Sequence, residues 1–327
     1  MFDITALGEI LIDFTPDGET PEGNSLFIRN PGGAPANLLC QASVCGARTA
    51  FIGKVGKDQF GSFLKESLAG HGVDCSGMRF DPKVGTTLAF VHLGESGERS
   101  FSFYRDPGAD VTLAPGEVDM GIIANSRIFH FGSLSLTHDS SRAATMAALG
   151  EAVSRGIAVS LDPNWRPLLW EGPWAFREQV QPLLGRVDIL KVSETEAEIL
   201  SGIPGGTFEA ARALSALGPR VVLMTLGGLG ARMLAPGIEA FCPPAPVDPL
   251  DTTGAGDAFH GAFLAALCLS GDSLWTHGPE DWTRFLALAA AAGALACTRK
   301  GGMGAAGPFG ETARAAAELI TKIVSNM

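Results

Sequence analysis

The sequence predicts an α/β fold in which helices cover both faces of a mostly parallel central sheet, with a small β flap beside it. β-like and helical patterns alternate along much of the chain, and this alternation is typical of a parallel sheet. Apolar residues make up 46% of the 327 residues, and only 18% are charged. The apolar fraction is enough to build one large core. Two β-like runs flank Gly94-Glu-Ser-Gly97, which indicates a hairpin. We find no internal repeat or low-complexity linker, so we expect one domain over residues 1–327.

Strands are expected in short runs rich in β-branched and aromatic residues, and helices where apolar residues recur at helical spacing. The expected strands cover residues 4–12, 49–55, 86–92, 99–104, 128–131, 157–161, 189–192 and 221–226. The expected helices cover residues 38–45, 140–155, 174–184, 194–200, 208–217, 258–269, 285–297 and 311–324, with one more within 56–71. Residues 14–30 are polar and rich in Gly and Pro, and no regular element is assigned to them. Ligands of such sheets bind beyond the C-terminal strand ends, where Asp162, Ser193 and Thr225 fall.

Composition narrows the class of protein. The net charge is −11 and we find no Lys/Arg cluster, which argues against a nucleic-acid partner but not against a nucleotide substrate. The six cysteines form no CxxC pair and predict reduced thiols in a cytoplasmic protein. The N-terminus lacks the basic region of a signal peptide. The most apolar stretch, residues 285–297, is too short to span a bilayer, so no membrane partner is expected.

The most informative stretch is Asp251-Thr-Thr-Gly-Ala-Gly-Asp-Ala-Phe-His-Gly261, a glycine-rich turn that opens into a helix. The first N–H groups of a helix lack partners within it, and the helix dipole adds positive potential, so this turn is expected to bind anionic oxygen. Asp257 could accept a hydroxyl proton at its edge, and together these groups suit phosphoryl transfer. From the residues alone, a simple helix cap explains Asp257 equally well.

A second glycine turn, Asn30-Pro-Gly-Gly-Ala-Pro-Ala-Asn37, precedes the helix at 38–45. It would let a ligand approach the backbone, although an isolated Gly-Gly pair is more often an ordinary helix start.

Three other motifs do not predict a ligand site. There is no P-loop, and the six histidines lack metal-ligand spacing. Gly302-Met-Gly-Ala-Ala-Gly307 matches GxGxxG only in letters, because it follows a helix rather than a strand.

Two signatures resemble the PfkB (ribokinase-like) carbohydrate kinase family, and its fructokinases most of all. They are Gly32-Gly33-x-x-x-Asn37 and Asp251-Thr-Thr-Gly-Ala-Gly-Asp257. Between them, Thr225-x-Gly227-x-x-Gly230 is similar to the family's nucleotide-phosphate loop. Three further segments look like fructokinases: Gly85-Thr-Thr-Leu-Ala-Phe, Gly97-Glu-Arg-Ser-Phe-Ser-Phe-Tyr-Arg105, and Asp162-Pro-Asn-Trp-Arg166 with Leu169-Trp170. The resemblance covers nearly the whole chain.

The resemblance implies a three-layer α/β/α sandwich with a small β lid, formed by segments at approximately 12–30 and 84–106. It implies ATP-dependent phosphorylation of a sugar hydroxyl, with D-fructose as acceptor and D-fructose 6-phosphate as product. Asp257 would be the base, and Gly254, Ala255 and Gly256 would form an anion hole. The expected partners are ATP and a small sugar, with a homodimer through the lid as a further implication.

The remaining site residues also follow from the resemblance. Those implied for the sugar are Asp13, Gly32, Gly33, Asn37, Phe103, Arg105 and Arg166. Those implied for ATP are Asn164, Lys191, Ser193, Glu196, Thr225, Gly227 and Gly230. Glu196 would also place Mg²⁺ through water, although Ser193 and Glu196 have the spacing of a capping box as well. A monovalent-cation loop, with K⁺ as the candidate ion, is implied for Asp251, Thr253, Ala296 and Gly301.

Three alternatives stay open. A 2-keto-3-deoxygluconate kinase shares Tyr104-Arg105 and Arg166, and would need an arginine for the substrate carboxylate. Phe103 stands where such kinases tend to have a second Tyr, which favours a neutral sugar. A nucleoside kinase of the same family fits the middle region less well. The alternative from another class is a sugar- or nucleotide-binding regulator without catalysis, against which the intact Asp257 and its glycines argue.

Overall fold

The computed structural model describes residues 1–93, 99–271 and 273–324. The strands are β1 (Phe2–Leu7), β2 (Leu11–Glu19), β3 (Ser25–Gly32), β4 (Thr49–Gly56), β5 (Asp74–Asp81), β6 (Leu88–Leu93), β7 (Arg99–Tyr104), β8 (Ser126–Gly132), β9 (Ala158–Asp162), β10 (Ile189–Ser193), β11 (Val221–Thr225), β12 (Ala231–Ala235) and β13 (Ile238–Cys242). The helices are α1 (Ala34–Val44), α2 (Gln59–Gly70), α3 (Met120–Ala124), α4 (Asp139–Ser154), α5 (Pro173–Val180), α6 (Glu194–Ser201), α7 (Phe208–Ser215), α8 (Ala255–Leu269), α9 (Pro279–Ala296) and α10 (Phe309–Val324).

Nine strands of the described chain form the central sheet, in the order β13-β12-β11-β10-β9-β8-β1-β4-β5. The strands from β11 to β5 are parallel, and β12 and β13 add an antiparallel edge. Strand residues alternate between two cores: Ile128 faces the core that contains Leu38 and Phe263, whereas Phe129 faces the core that contains Leu149. Helices α1, α2 and α8–α10 cover the first face and α3–α7 the second. The three-layer α/β/α sandwich is confirmed.

A second sheet, in the order β3-β2-β6-β7, forms the lid. Strands β2 and β3 are antiparallel, as are β6 and β7, and β2 pairs with β6 in parallel. Residues 14–30, to which no element was assigned, therefore lie largely in strands. The single strand expected at 4–12 is two strands in two sheets, because the chain leaves the central sheet after Leu7 and enters the lid at Leu11. The predicted hairpin turn at Gly94–Gly97 lies outside the described residues.

The C-terminal edge of the central sheet is where this fold is expected to bind ligands. The chain runs from β1 to β4 and β5 on one side of the sheet, and then from β8 to β11 on the other. The C-terminal ends of β1, β8 and β9 thus form a crevice where the strand order reverses, the usual ligand site of such sheets. In the described parts of the chain, no helix is long and apolar enough to cross a membrane.

Candidate active site

The N-terminus of α8 forms the centre of the site. Gly254 caps it in the left-handed conformation, with φ at 80°. Among the described residues, none accepts a hydrogen bond from the backbone N–H of Gly256 or of Asp257. The N–H of Ala255, by contrast, donates to the carbonyl of Thr252 at 3.3 Å. Within the predicted anion hole at residues 254–257, the N–H groups of Gly256 and Asp257 therefore stay open to a ligand.

A buried ion pair lies beneath this helix end. The Nζ of Lys191, at the end of β10, is 2.9 Å from Oδ2 of Asp162, at the end of β9. A Cβ placed on Gly256 would lie 2.8 Å from that Nζ, so a side chain there would collide with the ammonium group. Burial lowers the pKa of Lys191, but the carboxylates of Asp162, Glu196 and Asp257 outweigh it and leave the pKa raised. The Lys191–Asp162 ion pair thus lies below the open amides, with its ammonium group next to Gly256.

Asp257 contacts the second glycine motif. Nδ2 of Asn37, in α1, donates to Oδ2 of Asp257 at 2.8 Å. The two helices can approach this closely because Gly261 has no side chain: a Cβ there would lie 2.3 Å from the carbonyl oxygen of Leu38. Asn37 was predicted to hold sugar hydroxyls, and the structure shows that its amide also holds the carboxylate proposed as base.

The pKa of Asp257 is raised to about 6. Burial is the largest cause, and the negative charge of Asp162 adds to it. The hydrogen bond from Asn37 and the positive charges of Lys191 and Arg166 act in the opposite direction. The result is a carboxyl group that is mostly ionised at neutral pH yet basic enough to accept a proton.

Asp13, on β2, faces the same crevice from the lid. Burial raises its pKa to about 7, with Arg166 lowering it and the charges of Asp257 and Asp251 raising it. Arg166 itself is exposed, on the loop after β9. Since its charge acts on both Asp13 and Asp257, these three predicted residues lie near one another.

Gly32 and Gly33, the glycines of the second motif, allow the segments around them to pack closely. A Cβ on Gly32 would lie 2.1 Å from Oδ2 of Asp13, so any side chain would displace that carboxylate. Gly33 has φ at 113°, and a Cβ there would lie 2.5 Å from the carbonyl oxygen of Glu9. The two glycines therefore place Asp13 and the start of α1 against each other.

Arg105 is already bound to the protein. Its Nε donates to Oδ2 of Asp110 at 2.8 Å, its Nη1 to Oγ1 of Thr137 at 3.0 Å, and its Nη2 to the carbonyl of Leu134 at 3.0 Å. Arg105 is 4% exposed and Asp110 6% exposed. A buried arginine beside a neutral sugar needs a partner within the protein, and Asp110 is such a partner for Arg105.

Arg105 also borders a cavity of about 560 Å³. The cavity is lined by Phe103, Arg105, Asp106, His138, Leu168, Leu169, Trp170 and Glu171. Because Asp110 neutralises Arg105, the lining carries more negative than positive charge. This cavity is poorly suited to a carboxylate ligand.

The capping box predicted for Ser193 and Glu196 is confirmed. Oε2 of Glu196 accepts from the backbone N–H of Ser193 at 2.7 Å and from its Oγ at 2.8 Å, and the N–H of Glu196 donates back to that Oγ at 3.3 Å. The other carboxylate oxygen accepts from the N–H of Trp165 at 2.6 Å. Glu196 thereby fixes the loop after β9, where Asn164 takes a φ of 49°.

The predicted nucleotide loop follows β11. Gly227 and Gly230 both have positive φ, at 56° and 105°. A Cβ on Gly227 would meet nothing within 4 Å, whereas one on Gly230 would lie 2.2 Å from the carbonyl of Cys242. Gly230 therefore packs against the end of β13, whereas Gly227 has an open surface that a ligand could approach. Thr225 lies at the end of β11, beside β10.

Three residues of the predicted cation loop, Asp251, Thr253 and Gly301, come together. Oδ1 of Asp251 accepts from the N–H of Thr253 at 2.9 Å, and Oδ2 accepts from the N–H of Gly301 at 3.2 Å. Gly301 has φ at 84°, and Ala296 ends α9 just before it. The described residues contain no group of three or more His, Cys, Asp or Glu side chains that could hold a metal ion.

The family model described as "pfkB family carbohydrate kinase" matches residues 1–306. The chain belongs to this family. Over 321 residues it is 38% identical to Fructokinase-2 of Zea mays, covering 98% of this chain and 94% of the relative. A fructokinase from Xylella fastidiosa with bound ATP superposes with a TM-score of 0.87, at 31% identity, over 97% of this chain and 98% of the other. A double-mutant fructokinase from Vibrio cholerae, with fructose, ADP and potassium ion bound, superposes at 0.83, with 33% identity and 98% coverage of both.

Two residues of this pfkB-family site were missed by sequence reasoning. Oε1 of Glu9 accepts from the N–H of Ala34 at 3.0 Å, at the start of α1, while Oε2 is buried without a partner among the described residues. Burial raises its pKa to about 7. Gly302, in the dismissed GxGxxG match, packs on Asn37: a Cβ there would lie 2.6 Å from Oδ1. The only sequence signal for Glu9 was that it is a carboxylate directly after a buried strand. Gly302 gave no signal beyond being a glycine.

Proposed function

We propose that the protein transfers the γ-phosphoryl group of ATP to the 6-hydroxyl of D-fructose, with Asp257 as the base. The observation that carries this proposal is the placement of Asp257. The carboxylate lies at a helix end with open amides, is held by Asn37, and faces Asp13 across the crevice. The Zea mays relative named a fructokinase and the Vibrio cholerae structure with fructose and ADP support the choice of acceptor.

In the proposed reaction, one oxygen of Asp257 accepts the hydroxyl proton, while the other keeps its hydrogen bond from Asn37. The new O–P bond forms as the bond from the γ-phosphorus to ADP breaks, and the electron pair leaves with ADP. The backbone N–H groups of Gly256 and Asp257 would stabilise the charge on the transferring group. Lys191, beneath Gly256, adds positive potential at the same place.

The lid would complete the sugar site. Asp13, in β2, pairs in register with Ala89 of β6 and with Asn30 of β3, and Ala89 pairs with Phe103 of β7. These four side chains form one row across the lid sheet, and Asp13 shows that the row faces the crevice. A carboxylate can accept hydrogen bonds from sugar hydroxyls. Closure of the lid would exclude water, which otherwise competes with the sugar as phosphoryl acceptor.

Mg²⁺ would enter with ATP. The described residues supply no metal cluster, and both oxygens of Glu196 already accept hydrogen bonds, so its remaining capacity fits a water-mediated contact only. This arrangement suits Mg²⁺, which keeps several waters and is often held largely by substrate phosphates. When bound, the ion would neutralise phosphate charge. K⁺ is proposed for the loop of Asp251, Thr253, Ala296 and Gly301, whose backbone carbonyls and carboxylate are suitable oxygen ligands.

Three further assignments are part of the proposal. The whole chain would act as one kinase domain, with the lid segments inserted in it. A homodimer through the lid is supported by exposed apolar side chains on the lid strands, Leu26, Phe27 and Tyr104; sedimentation of a Phe27→Lys variant as monomer would support it. A cytoplasmic location is supported by the six cysteines, all of which are free thiols.

The competing acceptor is an acidic sugar such as 2-keto-3-deoxygluconate. Its carboxylate would need an arginine, and Arg105 is engaged by Asp110 at 2.7 Å, which leaves only Arg166 of the two arginines named for this alternative. A panel of neutral sugars, sugar acids and nucleosides in a coupled ADP-release assay tests the proposal. We expect the highest kcat/KM with fructose. A higher value with the keto-acid or with a nucleoside would replace the acceptor, and ADP release that no acceptor stimulates would favour a regulator without catalysis.

A further inference from the structure

The two ends of the lid hairpin meet at one carboxylate. Strand β6 starts directly after Thr87, and β7 ends directly before Arg105. Oγ1 of Thr87 donates to Oδ1 of Asp110 at 2.5 Å, and Nε of Arg105 donates to Oδ2 of the same residue at 2.8 Å. All three side chains are buried. Each oxygen of Asp110 therefore binds one end of the hairpin.

Asp110 is itself fixed in place. The N–H of Ala109 donates to the carbonyl of Gly85 at 2.9 Å, which ties the segment of Asp110 to the chain entering β6. A Cβ on Gly108 would lie 1.9 Å from Oγ1 of Thr87 and 2.9 Å from Oδ1 of Asp110. Only glycine allows the segment to approach so closely. The cis peptide bond before Pro107 lies in the same turn.

The contacts continue from this cluster into the body of the protein. Arg105 binds Thr137 and the carbonyl of Leu134, in the loop that follows β8 of the central sheet. On the lid side, the N–H of Ile12 donates to the carbonyl of Thr87 at 3.1 Å, next to Asp13. The position of Thr87 thus determines where the strand carrying Asp13 pairs with the hairpin.

We propose that Asp110 is a positioning residue that clamps both ends of the lid hairpin to the central sheet, and so places Asp13 and Phe103 over the acceptor. Asp110 acts through Thr87 and Arg105 and does not touch the substrate. In this assignment Arg105 belongs to the hinge of the lid rather than to substrate binding. The consequence for turnover rests on the proposed function; the consequence for lid motion does not.

The test compares Thr87→Val, which keeps the shape and removes the hydroxyl, with Thr87→Ser, which keeps the hydroxyl. Thr87→Val removes a hydrogen bond to a charged group, so we expect the KM for fructose to rise roughly tenfold. Because a loose lid admits water, ATP hydrolysis without sugar should rise relative to sugar phosphorylation. The Kd for ATP should stay unchanged, and Thr87→Ser should behave like the wild type. A purely structural role would lower the amount of active enzyme without changing KM or the hydrolysis ratio.

Hydrogen exchange tests the clamp without any acceptor. Amides of β6 and β7 should exchange faster in Thr87→Val and in Asp110→Asn than in the wild type, while amides of β8–β11 keep their protection. Unchanged exchange in the lid, or faster exchange spread evenly over both sheets, would overturn the clamp. If the wild type fails to phosphorylate fructose while the lid exchange rises as expected, the proposed function fails and the clamp stands.

Discussion

Replacing Asn37 by alanine should move the pH dependence of the reaction. The Asn37 amide donates to Oδ2 of Asp257 at 2.8 Å in a site where Asn37 is 7% exposed. A buried hydrogen bond to a charged group contributes about 1.5–3 kcal/mol, and one pKa unit corresponds to about 1.4 kcal/mol. Loss of the donor destabilises the carboxylate and raises its pKa. The acidic limb of kcat/KM, expected near pH 6 from the pKa of about 6, should therefore move upward by about one to two pH units.

The measurement is kcat/KM for fructose between pH 5 and pH 9, since this quantity reports the pKa of the free enzyme. Activity of Asn37→Ala should recover at alkaline pH, because only the protonated carboxyl is inactive as a base. Ser43→Ala, near the other end of α1, is the matched control and should keep the wild-type midpoint. An acidic limb that stays in place in Asn37→Ala would refute the view that this hydrogen bond sets the basicity of Asp257.

Three other predictions concern the nucleotide, the buried ion pair and Arg105. Gly227→Val should weaken ATP binding in calorimetric titration because its side chain would occupy the open loop surface; Gly237→Val, also at positive φ with open space around it, is the control, and an equal Kd in both would contradict the assignment. Lys191→Met should lower kcat and also the free energy of unfolding by about 3–5 kcal/mol, since Asp162 is left unpaired; adding Asp162→Asn should restore stability without activity. Arg105→Gln should leave the kcat/KM ratio of neutral to acidic sugars unchanged, and selective loss of activity on the acid would show that Arg105 binds a carboxylate.

The sequence predicted the central sheet well because its strands are buried and apolar on both faces. The elements it missed are of a different kind. Strands β2 and β3 belong to a sheet with one exposed face, and their polar residues and glycines look like a loop. Strand β5 and the hairpin of β12 and β13 lie at the edges of the central sheet. In such strands packing on the one covered face decides the structure, and the local residue pattern carries little information.

Candidate site residues could be proposed from short motifs, but the contacts between those motifs could not. The pairing of Asn37 with Asp257 joins residues 220 positions apart and depends on close packing at Gly261. The pairing of Arg105 with Asp110 could not be predicted, because the sequence does not show which carboxylate a buried arginine meets. Glu9 was visible only as a charged residue after a strand, and its contact with Ala34 depends on the path from the central sheet into the lid.

The most direct test of the account is the turnover of Asp257→Asn. The substitution keeps the size of the side chain and removes its basicity, and general-base catalysis contributes roughly 10²–10⁴-fold to rate. We expect kcat for fructose phosphorylation to fall by that factor, while calorimetric titration shows that ATP still binds as in the wild type. A variant with near-wild-type kcat would contradict the assignment of Asp257 as the base.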